Sequence, residues 1–311
     1  MLLRLRNLFA GLWLTFMVAL GACAQSSVVI VSSDDGAAYA EAAQALVQEL
    51  ERGGVSRFSI RRINASEWRD ARPQAPRLYV TLGAEAADLL ARFVPGAPVL
   101  CALLPRNSFE AILLRTGRKV SSQLSALFLD QPAQRQFQLI RLAFPSARRV
   151  GVLWGPDQAK DGGEWRTQAQ AAGFQLVDAE VGTEDLLFPA LKQVLDGTDL
   201  LLAVPSPQVY NSRTIQNILL TSFRANVPMM AFSPAYVRAG ALLAVYVTPS
   251  QVGVQAAHLA RAVLEGKTLP ASGVYSNDFH ISVNEHVAHS LDLSLDEQDL
   301  SRRLRQREAR P

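Results

Sequence analysis

The chain reads as an α/β protein built from parallel sheets in two lobes, and three observations carry that reading. Short β-branched runs alternate with segments of helical apolar spacing from residue 27 onward, the pattern of strands joined by crossover helices. The strand candidates are continuous apolar runs rather than alternating ones, as strands covered on both faces require. The alternation runs up to Phe144-Pro145 and then starts again, giving two series of comparable size.

Taken in order, 27–32 (SVVIVS) predicts the first strand. Asp34 or Asp35 is then placed to cap a helix whose apolar residues Tyr39, Ala42, Ala43, Leu46, Val47 and Leu50 share one face, and Gly53-Gly54 ends it. Further strands are expected at 58–63, 78–82, 99–104 and 123–129. The second series opens with a strand at 149–154 and a helix over about 163–172. Strands at 174–181, 200–204, 229–232 and 241–247 follow, with helices near 185–195 and 210–225. Thr248-Pro249 starts another helix with Val252, Ala256, Leu259 and Val263 on one face, ended by Gly266. Two short extended runs, 274–276 and 279–283, and a helix from Asn284 close the folded part. Beyond 290 the apolar spacing is lost and charge rises, so 296–311 is expected to be a charged tail, frayed or loosely helical.

Composition bounds the function. The chain has 311 residues, of which 49% are apolar and 19% charged, with only 2 Cys. That excludes a disordered chain, a collagen-like repeat and a disulfide scaffold. The formal charge of +3 resides at the ends: Arg4 and Arg6 at one, and the arginines of 302–310 at the other, account for more than the whole surplus. The intervening body is slightly acidic, which argues against a nucleic-acid partner.

Residues 1–24 read as an export signal, with Arg4 and Arg6 before an apolar run at 8–20 that is too short to span a bilayer. Two processing routes stay open. Leu20-Gly21-Ala22-Cys23 resembles a bacterial lipobox, which makes Cys23 a candidate for lipidation, and Ala22-Cys23-Ala24 satisfies the small-x-small rule of ordinary signal peptidase. The expected location is the periplasm, either soluble or anchored to the membrane through Cys23. Cys101, inside the run 98–104, is expected to be a buried, inert thiol.

Enzyme signatures are absent: there is no glycine-rich phosphate loop, no G-x-S-x-G elbow, no H-E-x-x-H and no paired C-x-x-C. His286 and His289 stand three apart on the last predicted helix, but no carboxylate at matching spacing completes a metal site. No cofactor or metal is expected.

From Arg148 onward the order of short motifs carries a family resemblance. Arg148-Arg149-Val150-Gly151-Val152-Leu153-Trp154-Gly155-Pro156, Val204-Pro205-Ser206-Pro207, Val227-Pro228-Met229-Met230 with Phe232-Ser233, and Val237-x-x-Gly240-Ala241-Leu242-Leu243 occur in sequence. This order resembles the tryptophan/tyrosine-type substrate-binding proteins of bacterial ABC transporters. The resemblance implies the type I periplasmic-binding-protein fold: two doubly wound parallel-sheet lobes with a ligand cleft between them and three crossovers. On that template 25–147 plus 248–269 make lobe one, and 148–247 plus 270–295 make lobe two. The chain departs from the family where members carry Asp-Pro-Val and Gly-Asn-Val-Thr-Gly. Here those places read Leu104-Pro105-Arg106-Asn107 and Gly117-Arg118-Lys119-Val120-Ser121-Ser122, so the lobe-one half of the ligand site is altered.

The residues themselves place a ligand at the same point, because the C-terminal ends of strands and the following helix N-termini form the crevice of a doubly wound sheet. Just past strand ends stand Ser33, Asp34, Gly83, Ala84, Trp154, Asp157, Ser206, Ser233 and Tyr246. Ser33, Ser206 and Ser233 could donate to a carboxylate; Trp154, Tyr236 and Tyr246 could enclose an apolar part. The same serines and Asp34 are also ordinary helix caps. The expected function is an exported, monomeric solute-binding protein that captures a small, amino-acid-like organic ligand and docks on a membrane permease, with no chemistry performed. One alternative is an accessory protein that reports occupancy to a sensor or an outer-membrane receptor. Another is an enzyme on this scaffold, for which Asp34, Asp157 and Glu85 are the available carboxylates.

Overall fold

A computed structural model describes residues 27–68, 76–93, 95–156, 158, 162–183 and 186–309. The first lobe holds strands β1 (Val28–Ser32), β2 (Ile60–Asn64), β3 (Leu78–Leu82), β4 (Val99–Leu104), β5 (Leu124–Phe128) and β11 (Val274–Tyr275), in the order β11-β5-β4-β3-β1-β2. All its pairings are parallel. The second lobe holds β6 (Arg149–Trp154), β7 (Gln175–Glu180), β8 (Leu200–Leu202), β9 (Met229–Ala231), β10 (Leu243–Tyr246) and β12 (His280–Val283), ordered β12-β10-β9-β8-β6-β7. Only β12 runs antiparallel there.

The continuous apolar runs have the meaning expected of them. In β1, Val28 and Ile30 face one hydrophobic core and Val29 and Val31 the other, with helices over both faces. The second sheet divides in the same way: Val150 and Val152 enter one core and Leu153 the other. Cys101 is buried in the first lobe, and desolvation pushes its thiol up to about 12.

Helices α1 (Ala37–Arg52), α2 (Ala84–Phe93) and α3 (Arg106–Thr116) cover the first sheet together with α9 (Pro249–Leu264). The second sheet carries α4 (Ala133–Ala143), α5 (Gly162–Ala171), α6 (Leu187–Leu195), α7 (Ile215–Arg224), α8 (Pro234–Ala239), α10 (Glu285–Ser290) and α11 (Glu297–Glu308). Thr248 and Gln251 form a capping box at the start of α9. Where α9 crosses α1, Gly253 lets the two backbones touch: a Cβ there would collide with the Ala42 carbonyl oxygen and come within 3.0 Å of the Leu46 nitrogen. Backbone cannot yield as a side-chain tip can, so Gly253→Ala should cost roughly 1–3 kcal/mol. Urea denaturation measures this; an unchanged midpoint would refute the tight crossing.

Several expectations are corrected. The α1 N-cap is Gly36, and the Asp34 side chain caps only locally by accepting the Gly36 N–H. Residues 57–59 form a 3-10 turn with Phe58 91% exposed, so β2 starts at Ile60. Lobe one does not extend to 147: α4 puts Phe137, Leu139 and Ile140 into the second lobe's core. Nor does 270–295 lie wholly in lobe two, because β11 adds to β5 at the edge of the first sheet. The chain therefore crosses between lobes near 129–132, 247–248 and 276–279. The charged tail at 296–311 is a helix where it is described. Asp296 caps α11 by accepting the Asp299 N–H, and Leu300 and Leu304, one turn apart, are buried in the second core. Two apolar residues at this spacing suffice to dock a helix that otherwise reads as charged. The expected signal segment, with Cys23, lies outside the described residues.

Candidate ligand-binding site

Both sheets turn their C-terminal strand ends toward a cavity between the lobes. The first lobe contributes Pro105 after β4 and Leu129 after β5, and the crossing segment and the first turn of α4 contribute Asp130, Gln131 and Gln136. Pro205 after β8, Phe232 after β9 and Val245 close it from the second lobe, around about 90 Å³. An adjoining space of about 40 Å³ shares Asp130, Gln131, Gln136 and Pro205 and is lined further by Arg106, Asn107, Gln158, Trp165 and Tyr275. The larger space is mostly apolar, and the smaller one has polar and apolar walls in similar measure.

Polar contacts bridge the lobes at the smaller space. Asn107 Nδ2 donates to the Pro205 carbonyl at 3.1 Å, and Arg106 Nη1 stands 3.3 Å from Glu164 Oε2. Arg106 also donates to Glu110 at 2.8 Å and to the Tyr275 hydroxyl at 3.3 Å. Burial works against its charge, but these partners outweigh burial and raise its pKa. Asp130 accepts the backbone N–H of Arg106. Desolvation pushes the Asp130 carboxyl up to about 6, against the pull of that N–H and of the Arg106 charge.

Gln131, only 5% exposed, is oriented by its neighbour. Its Oε1 accepts Arg135 Nη1 at 2.7 Å, while its buried Nε2 has no partner. Arginine has no acceptor, so the amide oxygen must be the atom that faces Arg135. Arg135 itself, 6% exposed, donates to the Ser276 carbonyl at 2.9 Å and the Asn277 carbonyl at 3.4 Å, and pairs with Glu308 of α11 at 2.5 Å. Its guanidinium lies over Phe279 at 4.7 Å, and Arg305 over the same ring at 4.6 Å.

The sequence-chosen residues divide into groups. Ser33, Asp34, Gly83 and Ala84 come together beyond β1 and β3, on the same sheet edge as Pro105 and Leu129. There Ser33 Oγ accepts the Ala86 N–H in the first turn of α2, which is cap work. Trp154 is 2% exposed, donates to Asp178 at 2.7 Å and packs on Trp165, so it supports a lining residue rather than being one. Ser206 is buried and donates to Gln208. Ser233 is the N-cap residue of α8. Tyr236 packs on the lining ring of Phe232 and donates to the Tyr210 carbonyl, and Tyr246 stacks on His280 and bonds Ser282. Their polar atoms serve the protein, and none of these side chains lines the two spaces. Asp157 lies outside the described residues. Sequence reasoning missed Arg106, Asp130, Gln131 and Gln136. Among the described residues, no group of three or more His, Cys, Asp or Glu side chains gathers to hold a metal, and no helix is long and apolar enough to cross a membrane.

Comparison with known proteins agrees with this architecture. A tyrosine-binding protein of Clostridioides difficile is 22% identical over 185 residues, 58% of this chain; the match spans about half, 52%, of that protein's length. The ligand-free, open structure of a substrate binding protein with adhesive properties from Clostridium difficile superposes with a TM-score of 0.67 at 16% identity, covering 88% of this chain and 96% of that one. A Streptococcus pneumonia ABC domain in complex with L-Trp gives a TM-score of 0.59 at 16% identity, with coverage of 88% and 97%. A conserved domain protein of Vibrio cholerae gives 0.60 at 18%, with coverage of 89% and 98%. The model of the ABC transporter substrate binding protein family matches residues 65–304, and the chain, with its paired doubly wound lobes, belongs to that family.

Proposed function

We propose that this protein is an exported solute-binding protein that closes its two lobes on a small, amino-acid-like organic ligand and delivers it to a membrane permease. The observation that carries the reading is the cavity where the C-terminal strand ends of both sheets meet, walled by both lobes and floored by a crossing segment. A ligand held there touches both lobes at once, so it binds the closed form more tightly than the open one and shifts the population toward closure. The tyrosine-binding relative and the neighbour in complex with L-Trp support an amino-acid-like class. Arg4, Arg6, the apolar run after them and Cys23 support export to the periplasm, with or without a lipid anchor. Ser33, Asp34, Gly83 and Ala84 offer a polar rim to a ligand in the opened cleft.

A thermal-shift screen of amino acids, purines, small acids and short peptides tests the reading. At a hundredfold excess over Kd a ligand stabilises by about 2.7 kcal/mol, or a rise of roughly 5–10 °C in Tm. No shift with any compound class sinks it. A second reading keeps the fold and replaces the permease with a sensor or an outer-membrane receptor. It is favoured by Leu104-Pro105-Arg106-Asn107, where an arginine bridged to Glu164 stands in the lobe-one half of the site. Neighbouring genes for a permease and an ATPase would decide for transport.

A further inference from the structure

The relatives' ligands are aromatic, but the space in this chain is small and carries its own polar anchors. Three features of the site fix what it can take. The apolar part, between Pro105, Leu129, Phe232 and Val245, encloses about 90 Å³. An apolar cavity of about 150 Å³ accommodates one benzene ring, and the apolar space here is smaller, which favours a short branched hydrocarbon chain over a phenol or an indole.

The second feature is an unused donor. Gln131 Nε2 is buried, has no partner, and belongs to a residue that lines both spaces; Arg135 holds the amide oxygen on the opposite side. A buried N–H without an acceptor costs free energy that a ligand oxygen would recover. The neighbouring amide nitrogens each already make a bond: Asn107 Nδ2 and Gln158 Nε2 both donate to the Pro205 carbonyl, at 3.1 and 2.7 Å. Gln136 Nε2 donates to the Gln131 carbonyl at 2.8 Å. Of these four amide nitrogens, Gln131 Nε2 is the one with no bond at all. The third feature is Asp130 beside it, a residue that lines both spaces and carries a carboxylate.

We propose that this cleft selects a compact aliphatic amino acid, with its hydrocarbon side chain between Leu129 and Phe232, its ammonium on Asp130 and a carboxylate oxygen on Gln131 Nε2. The inference rests on the solute-binding reading above and narrows it to one substrate class. Neither Asp130 nor Gln131 is among the cap and strand-end residues to which the sequence pointed.

Isothermal titration calorimetry on the full mature protein tests it, with valine, leucine and isoleucine against tyrosine and tryptophan, and with 4-methylpentanoate, which lacks the ammonium. The aliphatic amino acids should bind, the aromatic pair should bind at least about a hundredfold more weakly, and 4-methylpentanoate should lose a similar factor because Asp130 is left unpaired. Gln131→Glu keeps an oxygen for Arg135 and replaces the free donor with an acceptor. It should retain the wild-type melting temperature to within a few degrees and lose about a hundredfold or more in leucine affinity. Tyrosine or tryptophan binding as tightly as leucine, or Gln131→Glu binding leucine like wild type, overturns the proposal and leaves the solute-binding reading standing. Binding of purines, acids or peptides alone does the same. Absence of binding by every class overturns both.

Discussion

Arg135→Met lowers the melting temperature by on the order of 10 °C, the largest effect of any single substitution considered for this chain. The side chain is almost fully buried and donates to four residues: Gln131, Ser276, Asn277 and Glu308. Methionine preserves much of the volume and the contact with Phe279 but supplies no donor. Two backbone carbonyls, an amide oxygen and a carboxylate then lose their partner together. Removing one member of a buried, hydrogen-bonded ion pair costs about 3–5 kcal/mol, because the groups left behind remain desolvated. Arg135→Lys separates charge from geometry: an ammonium keeps the charge but cannot reach the Gln131, Ser276 and Glu308 acceptors with one planar fork, so it should fall between wild type and Arg135→Met. Differential scanning calorimetry of the three proteins makes the comparison. A methionine variant melting within 2 °C of wild type would show that the cluster contributes little.

The second large effect is one of opposite signs. Asp130→Asn should raise the stability of the empty protein at pH 7 while weakening capture of an ammonium ligand. The Asp130 carboxyl titrates near 6 in the folded protein instead of at its ordinary 3.8 because burial disfavours its charge. A folded-state value above the unfolded one means that the fold prefers the protonated form. The associated stability is complete below pH 4 and is lost as pH rises from about 4 to 6; by pH 7 the ionised group costs up to about 3 kcal/mol. Asparagine never ionises, and its side-chain oxygen can still accept the Arg106 N–H, so the cost disappears. The groups facing Asp130 include Arg106 and Glu110 of the same helix and the Tyr275 hydroxyl of β11, and of these Arg106 already offsets part of the burial. Melting temperatures at pH 4 and pH 7 measure the first half: the variant should gain several degrees at pH 7 and almost nothing at pH 4. Titration with leucine at pH 5, 6 and 7.5 measures the second: wild-type affinity should fall by up to about tenfold per pH unit below 6, and the variant should show no such slope. Equal destabilisation of the variant at both pH values, or a wild-type affinity flat through pH 6, contradicts the assignment.

Much of the fold was legible because it depends on local pattern. Residues 28–31 are four apolar side chains in a row, and only a strand with helices on both faces uses all of them. Thr248, Pro249 and Gln251 spell a helix start that needs no tertiary information. Assigning pieces to lobes was harder, since an amphipathic helix such as 133–143 shows its apolar stripe identically whichever sheet it covers. The site was least legible of all. Serines past strand ends are chosen by helix geometry and by ligands alike, and in Ser33 the structure finds the capping role. Asp130-Gln131-Pro132 reads locally as a polar turn. What makes it the floor of the cavity is Arg135 tied to Ser276 and Glu308, contacts 141 and 173 residues apart in sequence. One sequence signal was available: Arg135 and Gln136 sit side by side in the first turn of a core helix, and a fold buries adjacent polar residues only where they have partners or work.

The docking of the last helix has a practical side. Glu308, the last residue of α11, grips the same guanidinium that holds the Gln131 amide in place, so that helix is mechanically wired to the floor of the cavity. A truncation that removes α11 would therefore loosen the floor of the cavity although no residue of that helix lines it.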